Sequence, residues 1–260
     1  MSNPKGWRPG KSCDGFTIIE LLVVVGILVL LSGMLLPAVK RARDSAKSAA
    51  CMANLRQIGV AMQAYLSDNS GYYPWDWGSG PPSGFGGQWD YAISPYLGGS
   101  VISRPAIFVC PARTIATGLD KSTYSIHQGI CPDVNTWSPL TPAGSLTSFT
   151  KATTMYRPSE TILVADAIQQ GGANGGNAKA GFSMYGWATA TDYPGEPPEE
   201  IQPGWLGVDQ DAPADADAYN LRYRHNGYAN CLFCDGHVQS ALKGTLKAKN
   251  IRMGHPPGSW

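Results

Sequence analysis

Residues 16–36 read FTIIELLVVVGILVLLSGMLL, an unbroken apolar run whose one charge is Glu20. A helix rises about 1.5 Å per residue, so about 20 such residues cross a hydrocarbon layer about 30 Å thick. A secretory signal has a shorter apolar core, about 7–15 residues, followed by a small-residue cleavage site. This run is longer, and no A-x-A follows it. A helix buried in a protein core would ordinarily show a polar face over so many turns. The reading is therefore a permanent membrane anchor, which argues against a plain cytosolic enzyme.

The flanks set the expected direction. Lys5, Arg8 and Lys11 precede the run against the single acid Asp14, so the N-terminus is expected inside and the remainder outside the cytoplasmic membrane. Lys40, Arg41 and Arg43 after the run partly oppose this. Over the whole chain 20 basic residues meet 19 acidic ones. That balance leaves no excess to neutralise a phosphate backbone, so no nucleic-acid partner is expected.

After the run the helix should continue. Residues 38–68 are alanine-rich, hold strong helix formers and lack proline. Leu55, Ile58, Met62, Tyr65 and Leu66 recur at three- and four-residue steps, the stripe of an amphipathic helix. The cluster Asp68-Asn69-Ser70-Gly71 should end it. Short apolar segments at 107–110, 161–165, 229–233 and 237–241 lie between Gly/Pro turns and read as strands, mostly antiparallel. The expected fold class is α+β. One long N-terminal helix, half membrane-spanning and half amphipathic, lies on a small antiparallel sheet. The expected organisation is a leader at 1–15, an anchor at 16–37, a stalk at 38–70 and a head at 71–260. Within the head, residues 169–220 read as an insertion of solvated loop. Its stretch from Asp192 to Asp217 carries acids but no Lys or Arg.

Glu20 needs a partner, because an acid within a membrane helix is costly and is a functional residue by default. Gly15-Phe16-Thr17-Ile18-Ile19-Glu20 resembles the type IV prepilin processing site, GF(S/T)xxE. The resemblance implies cleavage by a prepilin peptidase between Gly15 and Phe16, with methylation of the new N-terminus at Phe16. It also implies that Glu20 pairs with the N-terminal ammonium of a neighbouring subunit during assembly. Pro37 falls where that family has a helix-distorting proline. Removal of the leader takes away a net charge of +2, which would turn the precursor's +1 into −1.

The densest polar stretch runs from Arg224 to Val238, RHNGYANCLFCDGHV. A strand, an Asp235-Gly236 turn and a second strand are expected, as a hairpin at 225–240. The spacing from His225 to Asp235-Gly236 resembles the H-X9-DG signature of prepilin-type proteins with a DUF1559-like head. Asn54-Leu55-Arg56-Gln57-Ile58, Gly71-Tyr72-Tyr73-Pro74, Phe108-Val109-Cys110-Pro111 and the segment from Arg157 to Asp166 are similar to other parts of that family. The resemblance does not extend to 169–220. His225, Asp235 and His237 form the signature's polar group. A hydrogen-bonded hairpin corner, a metal site and a base with its orienting partner are its three readings. The structural one is adopted, with no catalytic residue, no metal ligand and no cofactor assigned.

Six cysteines are present, and Cys13 would leave with the leader. The outer side of the membrane permits disulfides. The family resemblance implies a pairing of Cys51 with Cys110. Cys231-x-x-Cys234 lies on a strand, where residues three apart face opposite sides, which argues against zinc or a bridge there. Asp209, Asp211, Asp215 and Asp217 could hold calcium, although a complete calcium loop is lacking. Trp75, Trp77, Trp89, Tyr91 and Tyr96 crowd the segment after the helix; they either fill the core or stack on a ligand.

The expected function is structural. The chain reads as a pilin-like or pseudopilin-like subunit of a type IV pilus or type II secretion-like filament. Its expected partners are prepilin peptidase, other such subunits and the cytoplasmic membrane. The alternative is a membrane-tethered binding module for a glycan or other ligand, carried by the head.

Overall fold

The computed structural model describes residues 17–75, 89–100, 103–114, 122–127, 130–131, 150–168, 181–182, 221–246 and 250. The insertion, apart from residues 181–182, therefore lies outside the described residues, as does the leader. The chain divides into two units, 1–43 and 44–260.

The helix α1 runs Ile18–Asp68, 51 residues, and carries Pro37 inside it. Proline has no N–H to donate, which removes one bond of the helix ladder without ending the helix here. In the first unit every described side chain is exposed, including Leu22, Val29, Leu30 and Leu36. In the second unit α1 turns one face inward. Cys51, Leu55, Ile58, Ala61, Met62 and Leu66 are buried, following the three- and four-residue steps of the apolar stripe. The helix stops where expected, since Ser70 and Gly71 adopt left-handed φ of 56° and 81°. The Gly71 N–H then donates to the Leu66 carbonyl at 2.7 Å, closing the last turn.

Five strands form one sheet in the order β3-β1-β2-β4-β5. They are β1 (Tyr124–His127), β2 (Ile162–Asp166), β3 (Gly181–Phe182), β4 (Tyr228–Phe233) and β5 (Val238–Leu242). The pairs β1/β2, β2/β4 and β4/β5 are antiparallel, and β3 joins β1 in parallel at the edge. The α+β architecture, a long N-terminal helix with a small and mainly antiparallel sheet, is the one expected.

The sheet has a core on each face. On the helix side α1 meets Tyr124, Ile126, Leu163, Val164, Leu232 and Cys234. On the other side Ile162, Ala165, Ala229, Cys231 and Phe233 meet Leu221, Tyr223 and Leu246. Cys231 on β4 and Cys234 in the turn just after it thus join opposite cores. The register of β2 against β4 shifts between Ile162 and Val164. Such a shift explains how Leu163 and Val164 both join the helix-side core.

Two expectations are corrected, and one strand lies where none was expected. Residues 107–110 are not a strand, because Ala106–Phe108 is a 3-10 turn. Pro105 at its N-cap leads into that turn, and Cys110 then donates its N–H to the Thr123 hydroxyl at 2.6 Å, outside any ladder. The strand β1 lies where no strand was expected: it is only four residues long, and its polar Ser125 and His127 are buried along with Tyr124 and Ile126. The region 169–220 is not all loop, since it supplies β3.

Gly59 marks the closest approach of helix to sheet. A Cβ there would lie 2.8 Å from Leu232 Cδ1 and 3.6 Å from the Gly236 carbonyl oxygen. Gly59→Val should cost about 1–3 kcal/mol by overpacking and lower the melting temperature of the detergent-solubilised chain. Gly59→Ala should sit nearer neutral, because Leu232 can rotate away and alanine favours the helix. A valine variant that melts with the parent would contradict this close contact.

Candidate functional site

At the start of α1 the residues Thr17-Ile18-Ile19-Glu20 satisfy one another. The Glu20 N–H donates to Thr17 Oγ1 at 3.3 Å, and Glu20 Oε2 accepts from the Thr17 N–H at 2.9 Å and from its hydroxyl at 2.8 Å. This reciprocal pattern is a capping box, two first-turn donors satisfied by two side chains. Glu20 is thereby placed at the head of the apolar helix, with its carboxylate exposed to whatever surrounds that helix. Gly15 and Phe16 lie outside the described residues.

The signature at the other end of the chain separates into two parts. Asp235, Gly236 and His237 form the tip between β4 and β5. Gly236 takes φ of 94°, and Asp235 accepts the His237 N–H at 3.1 Å. The His237 ring lies 2.6 Å from Asp235 through Nδ1 and stacks on Phe233 at 4.2 Å between centroids. Backbone N–H groups of Cys234 and Asp235 donate to the Thr161 and Pro158 carbonyls, which fastens the tip to the turn before β2.

His225 is not part of that group. Asn226 and Gly227, with φ of 57° and 87°, form a tight turn of the mirror-image kind that suits an Asn-Gly pair. His225 and Tyr228 exchange both backbone hydrogen bonds across it, each 3.1 Å. The turn directs His225 into the protein interior, while the strand β4 carries Asp235 and His237 to the far end of the hairpin. His225 therefore does not share a site with Asp235 and His237.

What His225 meets is a buried cluster built on Asp166, the last residue of β2. His225 Nε2 lies 3.1 Å from Asp166 Oδ2, and Cys51 Sγ lies 3.3 Å from Oδ1. Cys110 Sγ is 3.5 Å from His225 Nε2. The Asn230 N–H donates to Asp166 Oδ2 at 3.0 Å, and Arg224 Nε is 3.7 Å from Oδ1. Arg224 also donates to the Ala167 carbonyl. The Tyr124 hydroxyl donates to Cys51 Sγ at 3.2 Å. The side chains of Asp166, Arg224 and His225 are at most 2 % exposed.

The charges in this cluster are displaced from their ordinary values. A hydrogen bond from Cys51, opposed by burial and assisted by His225 and Arg224, lowers the Cys110 thiol to about 7. Burial and the anionic neighbours push Cys51 well above its usual range. Burial disfavours the His225 cation, but Asp166 and Cys110 outweigh it and raise the imidazole to about 9. Cys110 and Asp166 both approach the same ring nitrogen, and Nδ1 is buried with no hydrogen bond among the described residues. A nucleophile–base–orienter relay needs both ring nitrogens, so the cluster is not a catalytic triad.

Cys51 and Cys110 do come together, but as free thiols. The disulfide implied by resemblance is not shown; in this structure each sulfur is engaged with the polar groups around Asp166. Asp166 and Arg224 were not singled out from the sequence. A usable signal existed in Asn226-Gly227, the strongest short hairpin dipeptide, which would have separated His225 from the Asp235 turn.

The remaining candidates divide similarly. Trp89 is core, edge-on to Phe108 at 5.6 Å, whereas Tyr96 is over a third exposed and donates its hydroxyl to Asp68 at 2.8 Å. Tyr91 lies under the Arg104 guanidinium, which itself forms a buried ion pair with Asp90 at 2.7 Å. Trp77 and the acidic group Asp209, Asp211, Asp215 and Asp217 lie outside the described residues.

Comparison with known proteins agrees with both ends of this description. A family model described as "Protein of unknown function (DUF1559)" matches residues 40–243. A second, the prokaryotic N-terminal methylation motif, matches residues 10–36. The type II secretion system core protein G of Pseudomonas aeruginosa is 38% identical over 59 residues, 23% of this chain and 42% of that protein. The type IV wide pilus major component PilA4 of Thermus thermophilus is 34% identical over 62 residues, 24% of this chain and 47% of that protein. The chain thus spans less than half the length of these curated relatives. No solved structure matches it. With the family match over most of its length, the chain belongs to the DUF1559 family, and it carries a prokaryotic N-terminal methylation motif at its start.

Proposed function

We propose that this protein is a structural filament subunit, related in role to pilins and pseudopilins, and not an enzyme. In this reading prepilin peptidase cuts between Gly15 and Phe16 and the new N-terminus is methylated. The helix then holds the subunit in the cytoplasmic membrane with its head outside, until it packs with other subunits in a type IV pilus or type II secretion-like filament. The observation that carries this is α1 itself. Its apolar residues from Ile18 to Leu36 are exposed on every side of the helix, and Glu20 alone among them is charged. Such a surface is stable only in lipid or against other apolar helices. The methylation motif lies in register with it.

Intact-mass and N-terminal analysis of the membrane-extracted protein tests the reading. The expected product lacks residues 1–15 and begins at Phe16 carrying one added methyl group. Gly15→Val should leave the leader attached and the N-terminus unmethylated. A wild-type chain that keeps its leader in cells with an active prepilin peptidase would overturn the proposal.

A further inference from the structure

The donor atoms of Cys51, Cys110, Asp166 and His225 all lie within 4.8 Å of one another, and all four residues are buried. We infer that these four residues form a zinc site, which pins the stalk part of α1 to the sheet and to the His225 turn. Tetrahedral zinc, with bonds of about 2.3 Å to sulfur and about 2.0–2.1 Å to nitrogen or oxygen, separates its ligand atoms by about 3.3–3.8 Å. Taking Asp166 Oδ2 as the carboxylate donor, the separations are 3.5 Å from Cys51 Sγ to Oδ2, 3.1 Å from Oδ2 to His225 Nε2 and 3.5 Å from His225 Nε2 to Cys110 Sγ. Three of the six edges thus match such a tetrahedron to within a few tenths of an ångström, and all four donors lie within 4.8 Å of one another.

The donor set fits the same ion. Two sulfurs, one imidazole nitrogen and one carboxylate oxygen suit a borderline-soft cation without redox chemistry, and not calcium or magnesium, which take oxygen. Two thiolates and a carboxylate around a divalent cation leave one negative charge, and the Arg224 guanidinium 3.7 Å from Asp166 offsets it. Three of the four ligands are also held from behind, as metal ligands are. Tyr124 donates to Cys51, the Asn230 N–H donates to Asp166, and the Cys110 backbone is tied to Thr123. Four protein ligands leave no open position, so the site is structural and supplies no catalysis.

The test uses the full chain, extracted in detergent without chelators. Metal analysis should find about one zinc per chain, and Cys110→Ser should lose it. Replacement by cobalt(II) should give the wild type the visible bands of a tetrahedral ion and a thiolate-to-cobalt charge-transfer band. That spectrum decides the matter even if the serine variant does not fold. Chelation should lower the melting temperature of the wild type. The inference is overturned if the non-reduced protein carries a Cys51–Cys110 disulfide, or if the reduced protein takes up neither zinc nor cobalt.

Discussion

Asp166→Ala is expected to destabilise the head by about 3–5 kcal/mol, the cost of removing one partner of a buried ion pair. The carboxylate is fully buried, and the Arg224 side chain beside it is only 1 % exposed. Deleting the acid leaves that guanidinium and His225 without their anion, and leaves the Asn230 N–H without its acceptor. Asp166→Asn keeps the volume and an acceptor oxygen, so its loss should be smaller. For a head of this size the alanine change corresponds to a fall in melting temperature of roughly 6–20 °C. Thermal unfolding of the solubilised full chain, followed by near-ultraviolet circular dichroism, reads this directly. A drop below about 1 kcal/mol, the scale of an exposed ion pair, would mean that Asp166 does not organise the head.

Glu20→Val is expected to enter the membrane and lose its leader normally, yet to fall out of filaments by roughly tenfold or more, the effect of losing one desolvated ion pair at a subunit interface. Valine removes the only charge in an otherwise apolar span, so insertion becomes easier. It also breaks the capping box with Thr17. Glu20→Gln separates these two effects. Glutamine can still cap the Thr17 N–H but cannot neutralise an ammonium. If charge pairing with a neighbour's N-terminus drives entry, Glu20→Gln should fail along with Glu20→Val. Co-isolation of tagged variants with sheared filaments measures incorporation. Wild-type incorporation of both variants would remove Glu20 from the assembly step.

Much of the local structure was legible in the chain. The stalk stripe of Leu55, Ile58, Met62 and Leu66 is buried as its spacing required, and α1 ends at the Asp68–Gly71 cluster. Strands β2, β4 and β5 fall on apolar segments recognised beforehand. The misses have particular causes. The strand β1 is four residues long and contains Ser125 and His127, both buried, so neither length nor hydrophobicity announced it. The apolar segment at 107–110 looked like a strand because burial alone makes a sequence apolar, whatever the backbone does. His225 was grouped with Asp235 and His237 because they are close in sequence, yet a tight turn at Asn226-Gly227 and the length of β4 hold them apart.

The sequence by itself determined the long apolar helix with Glu20 near its start and Pro37 within it, the amphipathic stalk and the hairpin. Each of these depends on residues within a few positions of one another, and helix periodicity, apolar length and turn dipeptides act at that range. Only the tertiary structure decided where the chemistry of the head lies. Cys51 comes from α1, Cys110 from the loop after a 3-10 turn, Asp166 from the end of β2 and His225 from the turn before β4. These positions are separated by up to 174 residues (225 − 51) along the chain. They meet because α1 packs on the sheet through Gly59 and its apolar stripe, and because β2 pairs with β4. Such contacts follow from how whole faces bury one another, which no short stretch of sequence encodes.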